Sequence, residues 1–289
     1  MKHLLAATDL SHRSDKALDR AALLAGQFSA SLDVLHVVDD DQPADIIERE
    51  MQQVRALLET RAAALEKAAG TAPAMFVAKG DPFQEISRAG EEKHADLIVM
   101  GAHRRRILKD VFTGTTVERV IRTGRLPVLV ANSEAEGPYR NVVVATDLSD
   151  ASVRALRTAR ALGILDGLKV TLLHAFLPLA KGMMVYANVE PDKIADYVAH
   201  ESSEAGQAIQ TFIEGLDLAP NDYELKLEEG APFDVIARAV AERKADLLII
   251  GTKGLTGAKR LLLGSVADAV LKSVDCDVLA VPIALQAGA

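Results

Sequence analysis

The sequence predicts an α/β protein built from two copies of one open parallel sheet, with helices on both faces. The chain repeats itself: residues 5–11 match residues 143–149, and residues 80–83 match residues 230–233. Within each copy, short apolar runs alternate with amphipathic stretches, as in strand-helix-strand units. The length of 289 residues fits two domains of about 150 residues each.

The elements of the first copy follow from these runs. Apolar stretches at 4–7, 34–38, 75–78, 97–100 and 128–130 predict five strands. Helices are predicted between them, among others over 15–28 and 46–69, so both faces of the sheet are covered. Pro82 and Pro232 occupy places that suit the first position of a helix.

The boundary between the copies falls in a short polar stretch, residues 133–138, which ends in Gly-Pro. We therefore expect a first domain over residues 1–136 and a second over residues 137–289. The match shifts between His174 and Gly230, so the second copy carries an insertion there. Residues 176–190 are the least patterned part of this half, and both a lid and a flexible connection suit them.

Composition excludes several classes of protein. A net charge of −8, no Trp and 4% aromatic residues disfavour a nucleic-acid surface. The single cysteine, Cys276, allows no disulfide within the chain and is expected to be a small buried residue in a reducing compartment. No run is long enough for a membrane span, and the apolar stretch before Asp9 is too short for a signal peptide. We expect a cytoplasmic protein without nucleic-acid or membrane partners.

A spaced glycine set near the C-terminus predicts a phosphate site. Gly251, Gly254 and Gly264 are separated by two and nine residues, and Ser265 follows directly. The set lies between an apolar strand at 245–250 and an amphipathic helix, so backbone amides and a helix N-terminus should converge. The glycines are expected to remove a Cβ from the path of the phosphates and to permit positive φ. Each residue alone would suit an ordinary turn, but the joint pattern favours an anion.

The first copy carries a damaged form of this set. Gly101 and the pair Gly114-Thr115 match, but Arg104 stands where the middle glycine should be. A basic cluster, residues 103–106 with Lys109, surrounds this position and reads as a solvated loop more readily than as a partner site. The comparison predicts that the intact site lies in the second half.

Other phosphate and catalytic motifs are absent from the sequence. There is no Walker-type loop, no dinucleotide fingerprint after the first strand and no nucleophile elbow at Ser265. The histidines show no ligand spacing, so no metal site is predicted, and a repeated structural role is expected for His36 and His174. Because strand ends surround one crevice in such sheets, Asp147 should lie close to Ala175 and Gly251, where it can accept hydrogen bonds from a sugar or base.

These residues resemble the universal stress protein family in its tandem form, over nearly the whole chain. The resemblance rests on the Thr-Asp-Leu-Ser strand ends, the Leu-His strand ends and the glycine set. It implies five-stranded Rossmann-like domains of the adenine nucleotide alpha-hydrolase type, paired through residues 127–130 and 277–281 as an intramolecular pseudo-dimer. It also implies ATP, with or without Mg²⁺, held by Ala145, Thr146, Asp147, Ala175, Ile250, Gly251, Lys253, Gly254, Gly264, Ser265, Val266 and Ala267. Ala267 departs from relatives that have a hydroxyl there.

The expected function is therefore an ATP-binding regulatory protein of the stress response. Two alternatives stay open: a slow ATPase or phosphotransferase in which Asp147 holds a metal ion or water, and an adaptor that works without nucleotide. A homodimer of tandem chains is also compatible with the sequence. No general base is evident beside the glycine set, so no catalytic residue is assigned and at most weak ATP hydrolysis is expected.

Overall fold

The computed structural model describes residues 1–102, 115–216, 218–219, 221–253 and 263–282. In the first half the elements are β1 (His3–Thr8), α1 (His12–Phe28), β2 (Ser31–Val38), α2 (Ala44–Ala69), β3 (Ala74–Lys79), α3 (Pro82–Glu92), β4 (Leu97–Gly101), α4 (Thr116–Thr123) and β5 (Val128–Ala131). In the second half they are β6 (Val142–Thr146), α5 (Asp150–Ala161), β7 (Val170–Phe176), α6 (Lys181–Tyr186), α7 (Pro191–Glu214), β8 (Tyr223–Glu229), α8 (Pro232–Arg243), β9 (Leu247–Gly251), α9 (Ser265–Ser273) and β10 (Asp277–Val281).

The ten strands form one sheet in the order β3-β2-β1-β4-β5-β10-β9-β6-β7-β8. Within each half all neighbours are parallel, and the order reverses between the first and fourth strands of that half. The halves join through antiparallel β5 and β10, which pair Val128 with Ala280 and Val130 with Val278. The predicted α/β fold and the pairing of last strands are confirmed. The pairing covers two apolar edges that would otherwise be exposed.

The core consists of two apolar layers, one on each face of the sheet. Leu4 and Leu5 are both fully buried yet belong to different layers, because successive strand residues point to opposite faces. One layer receives helices α1, α2, α5 and α7, and the other receives α3, α4, α8 and α9. Coverage on both faces explains why the strands read as continuous apolar runs. Cys276 is buried, as expected.

Short polar side chains set the helix starts. Ser11 and Ser149 are the N-caps of α1 and α5 and accept from the backbone N–H three residues later. Pro82 and Pro232 are the first residues of α3 and α8, as predicted.

Among the described residues, none of the helices combines the length and apolar character that crossing a bilayer requires.

A buried polar hub, consisting of Asp277, Arg20, Tyr139 and the backbone of 132–137, joins the two halves. The Asp277 carboxylate has no exposed surface and lies 2.9 Å from Nε of Arg20 on α1. It also accepts from the Tyr139 hydroxyl at 2.7 Å and from the backbone N–H groups of Asn132 and Ser133 at 2.9 Å each. Arg20 in turn donates to the carbonyl of Gly137 at 2.8 Å. The connection between the halves is therefore fastened to both of them.

Candidate functional site

A cavity of about 320 Å³ opens where β6, β7 and β9 end, beside the point at which strand order reverses. Every predicted site residue that the structure describes lines it: Ala145, Thr146, Asp147, Ala175, Ile250, Gly251, Lys253, Gly264, Ser265, Val266 and Ala267. The predicted Gly254 lies outside the described residues. The tertiary structure thus gathers residues from four separate segments, although their role in binding stays a prediction.

Further residues line the cavity that the sequence pattern did not indicate. Leu173, Pro232 and Ile236 add apolar wall, and Ser152, His174 and Thr252 add polar groups. Ser152 could have been found from the repeat, because it follows Asp147 at the same distance as Ser14 follows Asp9.

The Asp147 carboxylate is held in place by the turn that follows β6. Its Oδ1 accepts from the backbone N–H and hydroxyl of Ser149 at 3.1 and 2.5 Å, and from the hydroxyl of Ser152 at 2.7 Å. Leu148 closes the turn by donating its N–H to the Thr146 hydroxyl at 3.0 Å. Because these bonds fix the side chain, Asp147 presents a preorganised acceptor at the edge of the cavity.

The same turn occurs in the first half with the same unusual backbone. Leu10 and Leu148 have φ of 59° and 65°, a left-handed conformation that a leucine rarely adopts. Strain of this kind costs roughly 1–3 kcal/mol per residue and persists only where surrounding structure demands it. In the first half, burial raises the pKa of Asp9, but hydrogen bonds from Ser11 and Ser14 outweigh burial, and the net pKa is lowered.

His174 and His36 tie the first two strands of each half together. Nδ1 of His174 lies 2.8 Å from the Thr146 carbonyl, and Nδ1 of His36 lies 2.9 Å from the Thr8 carbonyl. A carbonyl oxygen only accepts, so Nδ1 donates in both rings. Burial lowers the pKa of His36. The repeated structural role expected for these histidines agrees with this geometry.

Gly251 also has a packing role that the sequence did not indicate. A Cβ on this residue would lie 2.9 Å from the carbonyl carbon and oxygen of Ala151, and its φ is outside the left-handed region. Gly251 therefore does not use the positive φ that glycine permits, and its bare Cα lets β9 approach the start of α5. Gly101 repeats the arrangement, since its Cβ would lie 2.7 Å from the carbonyl oxygen of Arg13.

The N-termini of α4 and α9 differ in a way that bears directly on anion binding. In α4, Thr115 accepts from the N–H of Glu118 at 3.1 Å, and the Glu118 carboxylate accepts from the N–H of Thr115 at 3.1 Å. In α9, the N-cap is Gly264, which makes no side-chain cap, and Ser265 is exposed. A helix N-terminus without an internal cap leaves its first amides available to an external anion.

The equivalent cavity of the first half is smaller, at about 200 Å³. Bulkier residues take the places of small ones in its lining, as the pairs Val37 for Ala175 and Val117 for Ala267 show. Arg104 and Gly254, on whose difference the predicted asymmetry rests, lie outside the described residues. At positions 37 and 117 the halves nevertheless differ in the same direction, because the first half has the larger side chain.

This protein belongs to the class of paired, doubly wound α/β domains, each with a crevice at the ends of its strands. The chain is a member of the universal stress protein family. The sequence profile of the Universal stress protein family matches residues 1–132 and again residues 138–282. The tandem organisation is therefore a repetition of the whole family domain.

Relatives match either one domain or the whole chain. A universal stress protein of Methanocaldococcus jannaschii is 30% identical over 146 residues, which are 50% of this chain and 84% of the relative. One from Mycobacterium tuberculosis is 34% identical over 150 residues, which are 50% of this chain and 96% of the relative.

Among solved structures, a universal stress protein from Archaeoglobus fulgidus has a TM-score of 0.67 and 22% identity, covering 97% of this chain and 98% of that one. This likeness shows the shared fold. A universal stress protein solved in complex with cAMP is 31% identical and covers 50% of this chain and 98% of that one, with a TM-score of 0.31.

Proposed function

We propose that this protein is a cytoplasmic regulator of the stress response that binds an adenine nucleotide, ATP foremost, in its second domain (residues 137–289). The observation that carries the proposal is the N-terminus of α9, which opens on the larger cavity and has no side-chain cap. A helix N-terminus at the end of a crevice favours phosphate through its amides and its dipole.

The lining of the cavity suits the three parts of such a ligand. Leu173 and Ile250 belong to an apolar wall that would accept the base. Asp147, oriented by its serine partners, would accept hydrogen bonds from ribose hydroxyls. Gly264 and Ser265 would place backbone amides and a hydroxyl against the phosphates, with Mg²⁺ accompanying ATP where it is present.

The first domain (residues 1–136) keeps the framework but lacks two of these properties. Its cavity is smaller, and the capping box already uses the N–H groups of Thr115 and Glu118 at the start of α4. We therefore infer one nucleotide per chain.

The test is a calorimetric titration with ATP, ADP, AMP and cAMP, the last being the ligand of the solved relative. Asp147→Ala is the main variant and Asp9→Ala is its matched control, because both carboxylates hold the same turn in different halves. We expect one tight ATP site that Asp147→Ala weakens and Asp9→Ala leaves unchanged. Two equivalent sites, or equal effects of the two variants, would refute the assignment to the second domain.

Two further variants test the helix N-terminus itself. Gly264→Asp would supply an internal negatively charged cap, so we expect it to abolish ATP binding while keeping the helix. Ser265→Ala should weaken binding by about 1–3 kcal/mol, the value typical of a hydrogen bond to a charged group. From the sequence alone, Gly254→Val should abolish binding, whereas Arg104→Gly should not alter it. Unchanged ATP affinity in a folded Gly264→Asp variant would remove the basis of the proposal.

Hydrolysis of ATP is expected to lie far below about 1 per second, the lower end of ordinary enzyme turnover. The cavity supplies positioning groups, and Asp147 is engaged by serine hydroxyls instead of being directed by a neighbouring base. Rapid hydrolysis by highly purified protein, lost in Asp147→Ala, would favour the ATPase alternative.

A further inference from the structure

One short stretch carries most of the exposed large apolar side chains in the described part of the chain. Five of the seven lie in residues 177–186, here called the apolar segment: Leu177, Leu179, Met183, Val185 and Tyr186. Leu179 is 80% exposed and Tyr186 is 91% exposed. A concentration of exposed apolar surface usually marks a place where something binds.

The apolar segment occurs only in the half that has the larger cavity and the uncapped helix. It follows β7 directly and begins two residues after Ala175, which lines the cavity. In the first half the chain passes from β2 to α2 through Asp39, Asp40 and Asp41, which are all exposed. The insertion therefore accompanies the site that is proposed to be functional.

The attachments of the apolar segment are few and easily exchanged. Pro178 is buried, and the N–H of Ala180 donates to the Tyr197 hydroxyl at 3.2 Å. Lys181 pairs with Glu229 at 2.5 Å, but their side chains are 42% and 35% exposed, and such pairs contribute little. Helix α6 has no buried residue. The segment is held at its base while its apolar side chains face solvent.

We propose that the apolar segment closes over the second-domain cavity when nucleotide is bound and covers the base with its apolar side chains. The inference rests on the proposed function. In the present conformation none of its residues lines the cavity. An adenine base in the cavity would give the apolar side chains of the segment a surface to pack against, and closure would remove both surfaces from water.

The chain has no tryptophan, so Tyr186→Trp provides a unique fluorescent reporter on the apolar segment. With ATP at a concentration that calorimetry shows to be saturating, we expect blue-shifted emission and reduced quenching by acrylamide. Leu57→Trp is the matched control, because Leu57 is also exposed but lies on α2 of the first half. Val185→Trp is a second reporter in case substitution of Tyr186 itself disturbs closure.

Affinity provides an independent measurement. Leu179→Asp combined with Met183→Asp should weaken ATP binding about tenfold, because charged side chains resist burial against the base. The control, Ile46→Asp combined with Leu57→Asp, alters two other exposed apolar residues, which lie on α2, and should leave affinity unchanged. Circular dichroism would verify that all variants are folded.

The outcomes separate the two proposals. A tryptophan that stays exposed while calorimetry shows saturated binding would overturn closure and leave the nucleotide site intact. A blue shift that follows protein concentration without nucleotide would overturn closure by showing that the segment contacts a second copy. Absence of any nucleotide binding in the parent protein would overturn both.

Discussion

Replacing Asp277 with alanine is expected to lower the free energy of unfolding by about 3–5 kcal/mol, the cost of leaving one buried charge without its partner. Arg20 has only 3% of its side chain exposed and cannot turn to water. The carboxylate also accepts hydrogen bonds from Asn132, Ser133 and Tyr139. Ser133 donates through both its N–H and its hydroxyl, so there are four such bonds. At about 1 kcal/mol each, they give a total similar to the expected loss. The loss of stability should affect both halves, because the hub joins them.

Chemical denaturation followed by far-ultraviolet circular dichroism measures this loss. Asp268→Ala is the matched control: Asp268 pairs with Lys272 at 2.7 Å, but its side chain is 41% exposed, so its loss should cost less than about 1 kcal/mol. The double variant Arg20→Leu with Asp277→Leu should be less destabilised than Asp277→Ala, because it leaves no unpaired charge. A loss in Asp277→Ala no larger than that in the control would refute the hub as a buried, tightly paired site.

Three further predictions concern two buried titratable side chains and one close approach of the backbone. Burial raises the pKa of Cys276 from 9.0 to about 12, so the folded chain keeps a proton that the unfolded chain loses. The free energy of unfolding should then fall by up to about 1.4 kcal/mol per pH unit above about pH 9, and urea titrations of Cys276→Ala should show a flatter slope. Burial lowers the pKa of His36 from 6.5, so the unfolded chain binds the extra proton first and stability should fall as pH drops below 6.5. His36→Gln should reduce that dependence, and an unaltered acid profile would contradict it. In thermal denaturation, Gly251→Ala should destabilise by about 1–3 kcal/mol through its contact with Ala151. Gly137→Ala, where a Cβ meets nothing within 4 Å, should be neutral.

The residues that line the candidate site could be predicted because the end of each strand can be located from the local sequence. Asp147 directly follows β6 and Gly251 is the last residue of β9, and parallel strands bring their carboxyl ends to one edge of the sheet. The repeat gave independent support, since the strands and helices assigned in one half matched those assigned in the other. Strand bounds differ from the predicted ones by a few residues at most, because strands buried on both faces are continuously apolar.

The structural role of individual residues was harder to predict from the sequence than their position in the fold. Gly251 is needed for a close approach to Ala151, and no feature of the local sequence shows that neighbour. The left-handed backbone of Leu10 and Leu148 was equally hidden, because leucine is not a residue that predicts positive φ. Both facts depend on how a helix packs against a strand end.

The sequence by itself determined the repeat, the alternation of strands and helices, and the set of residues that meet at the strand ends, because these depend on periodicity and chain order. Only the tertiary structure decided how the halves are fastened together and which helix N-terminus is open. Arg20, Tyr139 and Asp277 meet across more than a hundred residues of sequence, at a place set by the register of β5 on β10. The cap on α4 and its absence on α9 depend on where each helix begins, a matter of one residue that pattern alone does not resolve.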